Sequence, residues 1–334
     1  MTGDPSAERG PGGLSGWRRR ALILSVVLSA IAYLAVALWS GWREVAQAVA
    51  QVGLVGVMIA LALSLLNYGL RFVRWQAYLR ALGHPVRWRT SLRIYLAGFA
   101  LTTTPGKTGE ALRGVFLKPL GVPYPVSLAA FLSERLSDLL AVLLLTLFGL
   151  TAHPSTAPMI AVGVVGLTGA FAMLSSARLL EALRDRLLGF GRETAKTLRP
   201  RRLLAHGFEI LLQARRCHAP TLLLSATLLS AVAWAAEAWA FDLILRWMGI
   251  DVPLSFAVFV YAISMLAGAL SMMPGGLGGA EAAMVALLML EGVQGPDAVA
   301  ATVLIRLATL WFAVAIGAVV LGSQPGRPDV RTGH

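Results

Sequence analysis

Charged side chains are scarce in this chain. Only 14% of its 334 residues are Asp, Glu, Lys or Arg, while 57% are hydrophobic; a soluble domain carries roughly 25% charged residues. Too little polar surface is available to face water on all sides, so lipid is the solvent for most of the chain. Cysteine is nearly absent: a single residue, Cys217, excludes an internal disulfide and a cysteine-built metal site. Histidine is sparse, and His84, His153, His206 and His218 have no ligand spacing, so no metal and no cofactor is expected. Acidic residues are also in deficit, 17 against 29 basic, a net charge of +12. In an apolar chain that excess is read first through the positive-inside rule and anionic headgroups, and no nucleic acid is expected.

What is present is a series of apolar runs. Residues 21–42 follow Arg18-Arg19-Arg20 without a charge and are long enough to span a bilayer, too long for a signal-peptide core despite the cleavage-like Ala35-Val36-Ala37. Further apolar segments cover about 53–70, 126–150, 157–177, 220–245, 254–273, 277–290 and 298–322. Arginines cluster at 71–93 and through 178–216, whereas 151–157 has none and 42–52 has Arg43 alone. The bias puts the N-terminus, 71–93, 178–216 and the tail in the cytoplasm.

That assignment constrains the rest. Residues 91–118 enter and leave the membrane on one side, and 254–292 enter and leave on the other. The expected fold is an all-α polytopic membrane protein with about six full transmembrane helices and two re-entrant helical hairpins in an inverted repeat. Its parts are a disordered cytoplasmic tail at 1–20, one transmembrane domain at 21–322 and a cytoplasmic tail at 323–334. The transmembrane domain divides into a first half at 21–177, an amphipathic cytoplasmic linker at 178–216 and a second half at 217–322.

Each hairpin carries a break. Pro105-Gly106-Lys107 with Gly109-Glu110 answers Pro274-Gly275-Gly276 with Gly278 and Glu281. Proline stops each helix, and glycine permits the reversal. The GKT at 106–108 is not a phosphate loop of the Walker type: the first required glycine is Leu101 and no strand precedes it. Gly276 to Glu281 likewise fails as a dinucleotide fingerprint, since its last glycine is Glu281. Broken backbone at membrane depth is tolerated where it lines a wet cavity, and paired breaks mark transporter binding sites.

Charges inside the spans complete the candidate site. Glu134, Arg135 and Asp138 share a stretch of the third segment, and Arg306 lies in the last. Such groups are costly in a membrane and are expected to face the interior. With the two breaks and Arg113 they are the candidate substrate-binding residues, the arginines drawing phosphate and the carboxylates meeting a cationic headgroup; structural ion pairs that hold helices together are the alternative. Arg71, Arg74 and Trp75 read instead as snorkelling anchors with an interfacial tryptophan, and Trp234 and Trp239 as packing or belt residues.

At RFVRWQAYLRALG (71–83), PGKTGEALR (105–113), SERLSDLL (133–140), MPGGLGGAE (273–281) and Ile305-Arg306, the chain resembles the membrane domain of lysylphosphatidylglycerol synthases and their stand-alone, flippase-like relatives. The resemblance implies movement of an aminoacylated lipid across the bilayer. Bifunctional members add a soluble aminoacyltransferase domain; with residue 334 close behind the last apolar segment, that domain and its synthase activity are not expected here. The preferred function is a flippase or transporter of a polar phospho- or aminoacyl-lipid, in the plasma (inner) membrane. Its partners are membrane lipids, anionic or polyprenyl-linked, and a homo-oligomer is compatible with the sequence. Two alternatives stand beside it. One is a membrane-embedded glycosyltransferase using a polyprenyl-phosphate sugar, although no Asp-x-Asp is present. The other is a non-catalytic scaffold, which leaves the buried charges unexplained.

Overall fold

A computed structural model describes residues 42–102, 113–149, 158, 161–166, 169, 176–189 and 195–323. Among these residues the secondary structure is helical, with no strand. The helices are α1 (Trp42–Ala81), α2 (Trp88–Phe99), a short α3 (Arg113–Leu117), α4 (Tyr124–Gly149), α5 (Ala177–Gly189), α6 (Ala195–Ala214), α7 (Pro220–Trp247), α8 (Leu254–Leu270), α9 (Gly279–Leu290), α10 (Gly295–Arg306) and α11 (Phe312–Ser323). The protein is an all-α polytopic membrane protein.

Helix lengths follow the apolar runs. Three stretches are long and apolar enough to cross a membrane: Arg43–Ala81, Pro220–Trp247 and Gly295–Ser323. Helix α4, with 26 residues, is long enough at about 39 Å, but Glu134, Arg135 and Asp138 fall within its middle and keep it out of that group. Helices α2 and α9 have 12 residues each and α8 has 17, all short of the roughly 20 that a crossing needs.

Two helix interruptions are worth locating. The stretch 42–52, expected as a plain connector, is helical and continues into α1 through Gly53, whose φ of 66° breaks the regular geometry. A π-helical turn, Leu307–Trp311, joins α10 to α11 directly after Arg306. Such bulges displace a carbonyl from the regular ladder, and here the Thr309 carbonyl accepts a hydrogen bond from the Tyr68 hydroxyl of α1.

The packing pairs the two halves crosswise. Helix α1 lies along α7, with Asn67 Nδ2 donating to the Ala233 carbonyl at 2.9 Å. Helix α2 packs on α11, the last described helix. Reciprocally, α8 packs on α4, the last described long helix of the first half. Each cross-contact closes on a glycine. A Cβ on Gly149 would sit 2.7 Å from Phe259 Cα of α8, and one on Gly317 would sit 2.7 Å from the Phe99 carbonyl carbon of α2. Small residues of this kind let helix backbones approach in a membrane, where no hydrophobic force separates helix from lipid.

Candidate functional site

Two apolar clusters divide α4 between them. One takes Val126, Ala129 and Ala130, the other Ala141 and Val142. Glu134, Arg135 and Asp138 fall in the gap and meet their counter-charges there. Asp138 lies 2.6 Å from Arg74 Nη1, 3.5 Å from Arg71 and 3.2 Å from Arg135, and accepts from Trp234 Nε1 at 3.0 Å. Arg74 also donates to Ser230 Oγ of α7 and sits 3.7 Å from Glu134. Glu134, fully buried, pairs with Arg113 Nη1 at 3.0 Å. The Arg113 guanidinium stacks over Trp75 and Tyr95, 4.9 and 4.6 Å from their ring centres.

This geometry corrects one reading of the sequence. Arg71, Arg74 and Trp75 are not snorkelling anchors: they are 7%, 0% and 1% exposed. The two carboxylates on α4 supply counter-charges deep in the bundle, which offsets the desolvation that otherwise drives an arginine toward the interface. Trp234, read as packing, is a hydrogen-bond donor to Asp138 with Arg71 5.5 Å over its ring; Trp239 is half exposed and plays no part. A sequence signal existed for the arginines: Arg135 alone cannot balance both Glu134 and Asp138, so a cation from elsewhere is required, and Arg71 and Arg74 are i,i+3 on one helix face.

The second break builds its own centre. Pro274–Gly276 forms a tight turn in which Gly275 and Gly276 have φ of 65° and 70°, and Gly278 follows with 83°. Glu281 Oε2 caps α9 by accepting from the Gly278 N–H at 2.7 Å, while Oε1 accepts from Arg306 Nε at 2.7 Å. Arg306 Nη2 donates to the Gly275 carbonyl at 2.9 Å, so one arginine holds both the turn and the helix start. Met272 carries φ of 52°, unusual for a residue with a side chain, and marks strain at the break.

The two centres meet in space. A cavity of ≈ 200 Å³ is lined by Arg135, Asp138 and Trp234 on one side and Gly275, Gly276 and Arg306 on the other. A smaller one of ≈ 50 Å³ is lined by Arg71, Glu237, Tyr261 and Arg306, with Tyr261 donating to Glu237 at 2.5 Å. Arg135, Asp138, Gly275, Gly276 and Arg306 thus share a cavity; Arg113 and Glu134 lie behind it as a buried pair. Glu281 and Gly278 support Arg306 from the far side, and Pro274 starts the turn. Pro105, Gly106, Lys107, Gly109 and Glu110 lie outside the described residues. Among the described residues no group of His, Cys, Asp and Glu is arranged to hold a metal ion.

A bundle of apolar helices around a mixed-charge cavity is a polytopic membrane protein with a polar interior site. Residues 22–317 match the family described as the lysylphosphatidylglycerol synthase TM region, and the chain belongs to that family. It is also similar to a UPF0104 membrane protein from Methanothermobacter thermautotrophicus, 25% identical over 319 residues, covering 90% of this chain and 92% of that one.

Proposed function

We propose that the protein moves a polar lipid between the two leaflets of the plasma membrane, its headgroup passing through the cavity shared by Arg135, Asp138 and Arg306. One observation carries this reading: the cavity is charged on its floor, yet Met265, Leu266, Met272 and Met273 line it too, and Met272 and Met273 are exposed. A polar floor with an apolar, partly open side suits an amphiphile whose head enters while its chains stay in lipid. The short limbs α2, α8 and α9 support two hairpins re-entrant from opposite faces, with both termini cytoplasmic. Membership of a lipid-synthase membrane-region family agrees with a lipid substrate.

The test is a proteoliposome assay that follows headgroup-labelled lipids between leaflets by dithionite quenching. Wild-type protein is expected to equilibrate at least one class of lipid, and Arg306→Gln to stop it while the variant still elutes as a folded species. Empty liposomes and protein liposomes behaving alike across the headgroup panel would overturn the reading.

A further inference from the structure

We propose that the groove between α5 and α6 is a second lipid site, which holds the phosphate-bearing head of an anionic lipid of the cytoplasmic leaflet. It is distinct from the charged cavity and does not depend on lipid movement. Ala205, Glu209, Leu212, Gln213 and Arg216 recur at helical spacing and form one stripe along α6 and the turn that follows it. From α5, which packs on α6, come Leu180 and Arg184, i,i+4 on one face. Leu180 is fully buried, yet Arg184 and the α6 stripe line an open groove of ≈ 400 Å³. A helix pair that closed only on itself would fill such a seam with apolar side chains. This seam is polar, and its volume falls within the roughly 300–1,000 Å³ of ligand pockets.

Charge and place name the occupant. Among the described residues the exposed Arg216 side chain has no ion pair, and Arg184 pairs with the adjacent Asp185 alone, at 2.9 Å. That pair is open to water and weak, and it leaves the Arg184 Nη1 over. Two guanidinium groups from two helices suit a phosphate, and Glu209 and Gln213 beside them suit the hydroxyls of a polyol head. Arg216 stands about one turn before Pro220, where the long apolar helix α7 begins, and Ile210 and Ala214 of α6 join the apolar cluster that includes Val126 and Ala129 of α4. The groove is therefore tied to the end of a span, level with lipid headgroups. Leu179 and Leu183 of α5, also i,i+4, and Leu204 of α6 are exposed, apolar surface for the chains below the head. Basic residues outnumber acidic ones from 178 to 216, which assigns the stretch to the cytoplasmic leaflet, the one that carries anionic lipids. A soluble phosphate would use the arginines and leave those leucines in water.

The experiment measures amide hydrogen exchange over 177–189 and 205–216 in nanodiscs of phosphatidylcholine alone and of phosphatidylcholine mixed with phosphatidylglycerol. Phosphatidylglycerol is expected to slow exchange there about tenfold, the scale of one charge-assisted hydrogen bond. Arg184→Gln combined with Arg216→Gln, both at solvent-accessible side chains, is expected to erase the slowing while the variant still elutes as a folded species. Arg306→Gln, in the main cavity, is expected to keep it. Raised salt is expected to shrink the effect in wild type, an arm that needs no variant. Equal exchange in the two discs, slowing that persists in the double variant or in high salt, or slowing that Arg306→Gln removes would each overturn the site. Glycerol phosphate added to phosphatidylcholine discs is expected to have no effect; full slowing by it would mean a site for a free phosphate ester and defeat the lipid assignment. The leaflet assay remains separate. No lipid moved there defeats the transport function and leaves this site, while no slowing by phosphatidylglycerol defeats this site and leaves the transport.

Discussion

At the scale of single residues, the buried arginines divide into those that hold the bundle together and those that face the cavity. Arg74 is the clearest of the first kind, bridging α1 to α4 through Asp138 and to α7 through Ser230. Removing one partner of a buried pair strands the other, a loss of about 3–5 kcal/mol. Arg74→Met is therefore expected to lower the melting temperature in detergent sharply, and Arg74→Met with Asp138→Asn to recover part of the loss; additive losses would mean that the pair is not coupled. His218, the last residue of the 3-10 turn that precedes α7, gives a pH signature. Burial pushes its imidazole below the ordinary value of about 6.5, with Ser133 Oγ 3.4 Å from Nε2. The unfolded chain then binds the proton more readily, so this contribution to stability is complete above about pH 6.5 and falls as pH drops through that value toward the folded one. A melting temperature that declines on acidification in wild type and less so in His218→Gln is the expected result; identical pH slopes would remove His218 from the account.

Among the elements, the crosswise pairing of α2 with α11 and α8 with α4 carries the architecture. Its two closest approaches are Gly149 on Phe259 and Gly317 on Phe99 and Ala100. Alanine at either site must push backbone against backbone, an overpacking cost of about 1–3 kcal/mol. Both Gly149→Ala and Gly317→Ala are expected to destabilise by similar amounts, read as paired drops in melting temperature; a loss at one site alone would break the equivalence of the two contacts. Neither contact was legible in the sequence, because glycine in an apolar run signals a close approach without naming the partner. The helices themselves were legible. The runs 220–245, 254–273 and 277–290 correspond to α7, α8 and α9, since periodic hydrophobicity and Pro-Gly punctuation act locally. The Pro274-Gly275 break was legible for the same reason, and its positive-φ glycines supply the reversal that proline alone would not. The Arg306–Glu281 bridge was not, because 25 residues of chain separate its ends.

For the whole molecule, the charges decide how the halves face the membrane. Glu134, Arg135 and Asp138 could be recognised as interior from their cost in lipid, yet Arg71 and Arg74 were read as surface anchors because an arginine at a helix end suits either place. What settled their position is tertiary: α4 brings two carboxylates to the depth of α1 where these arginines sit. An inverted arrangement makes a further demand. The connector after α1, at 82–87, and the connector after α7, at 248–253, occupy equivalent positions in the two halves and must open on opposite faces if the repeat is inverted. Single cysteines at His84 and Asp251 test this on a Cys217→Ala background, which leaves no native thiol because Cys217 is the sequence's one cysteine. In right-side-out vesicles, a membrane-impermeant maleimide is expected to label Asp251→Cys from outside, and His84→Cys only after the membrane is permeabilised. The expectation rests on Arg80, Arg87, Arg89 and Arg93, the basic residues flanking position 84, which the positive-inside rule assigns to the cytoplasm. Labelling of both positions from one side would make the halves parallel, and the crosswise contacts of α2 and α8 would then need another origin.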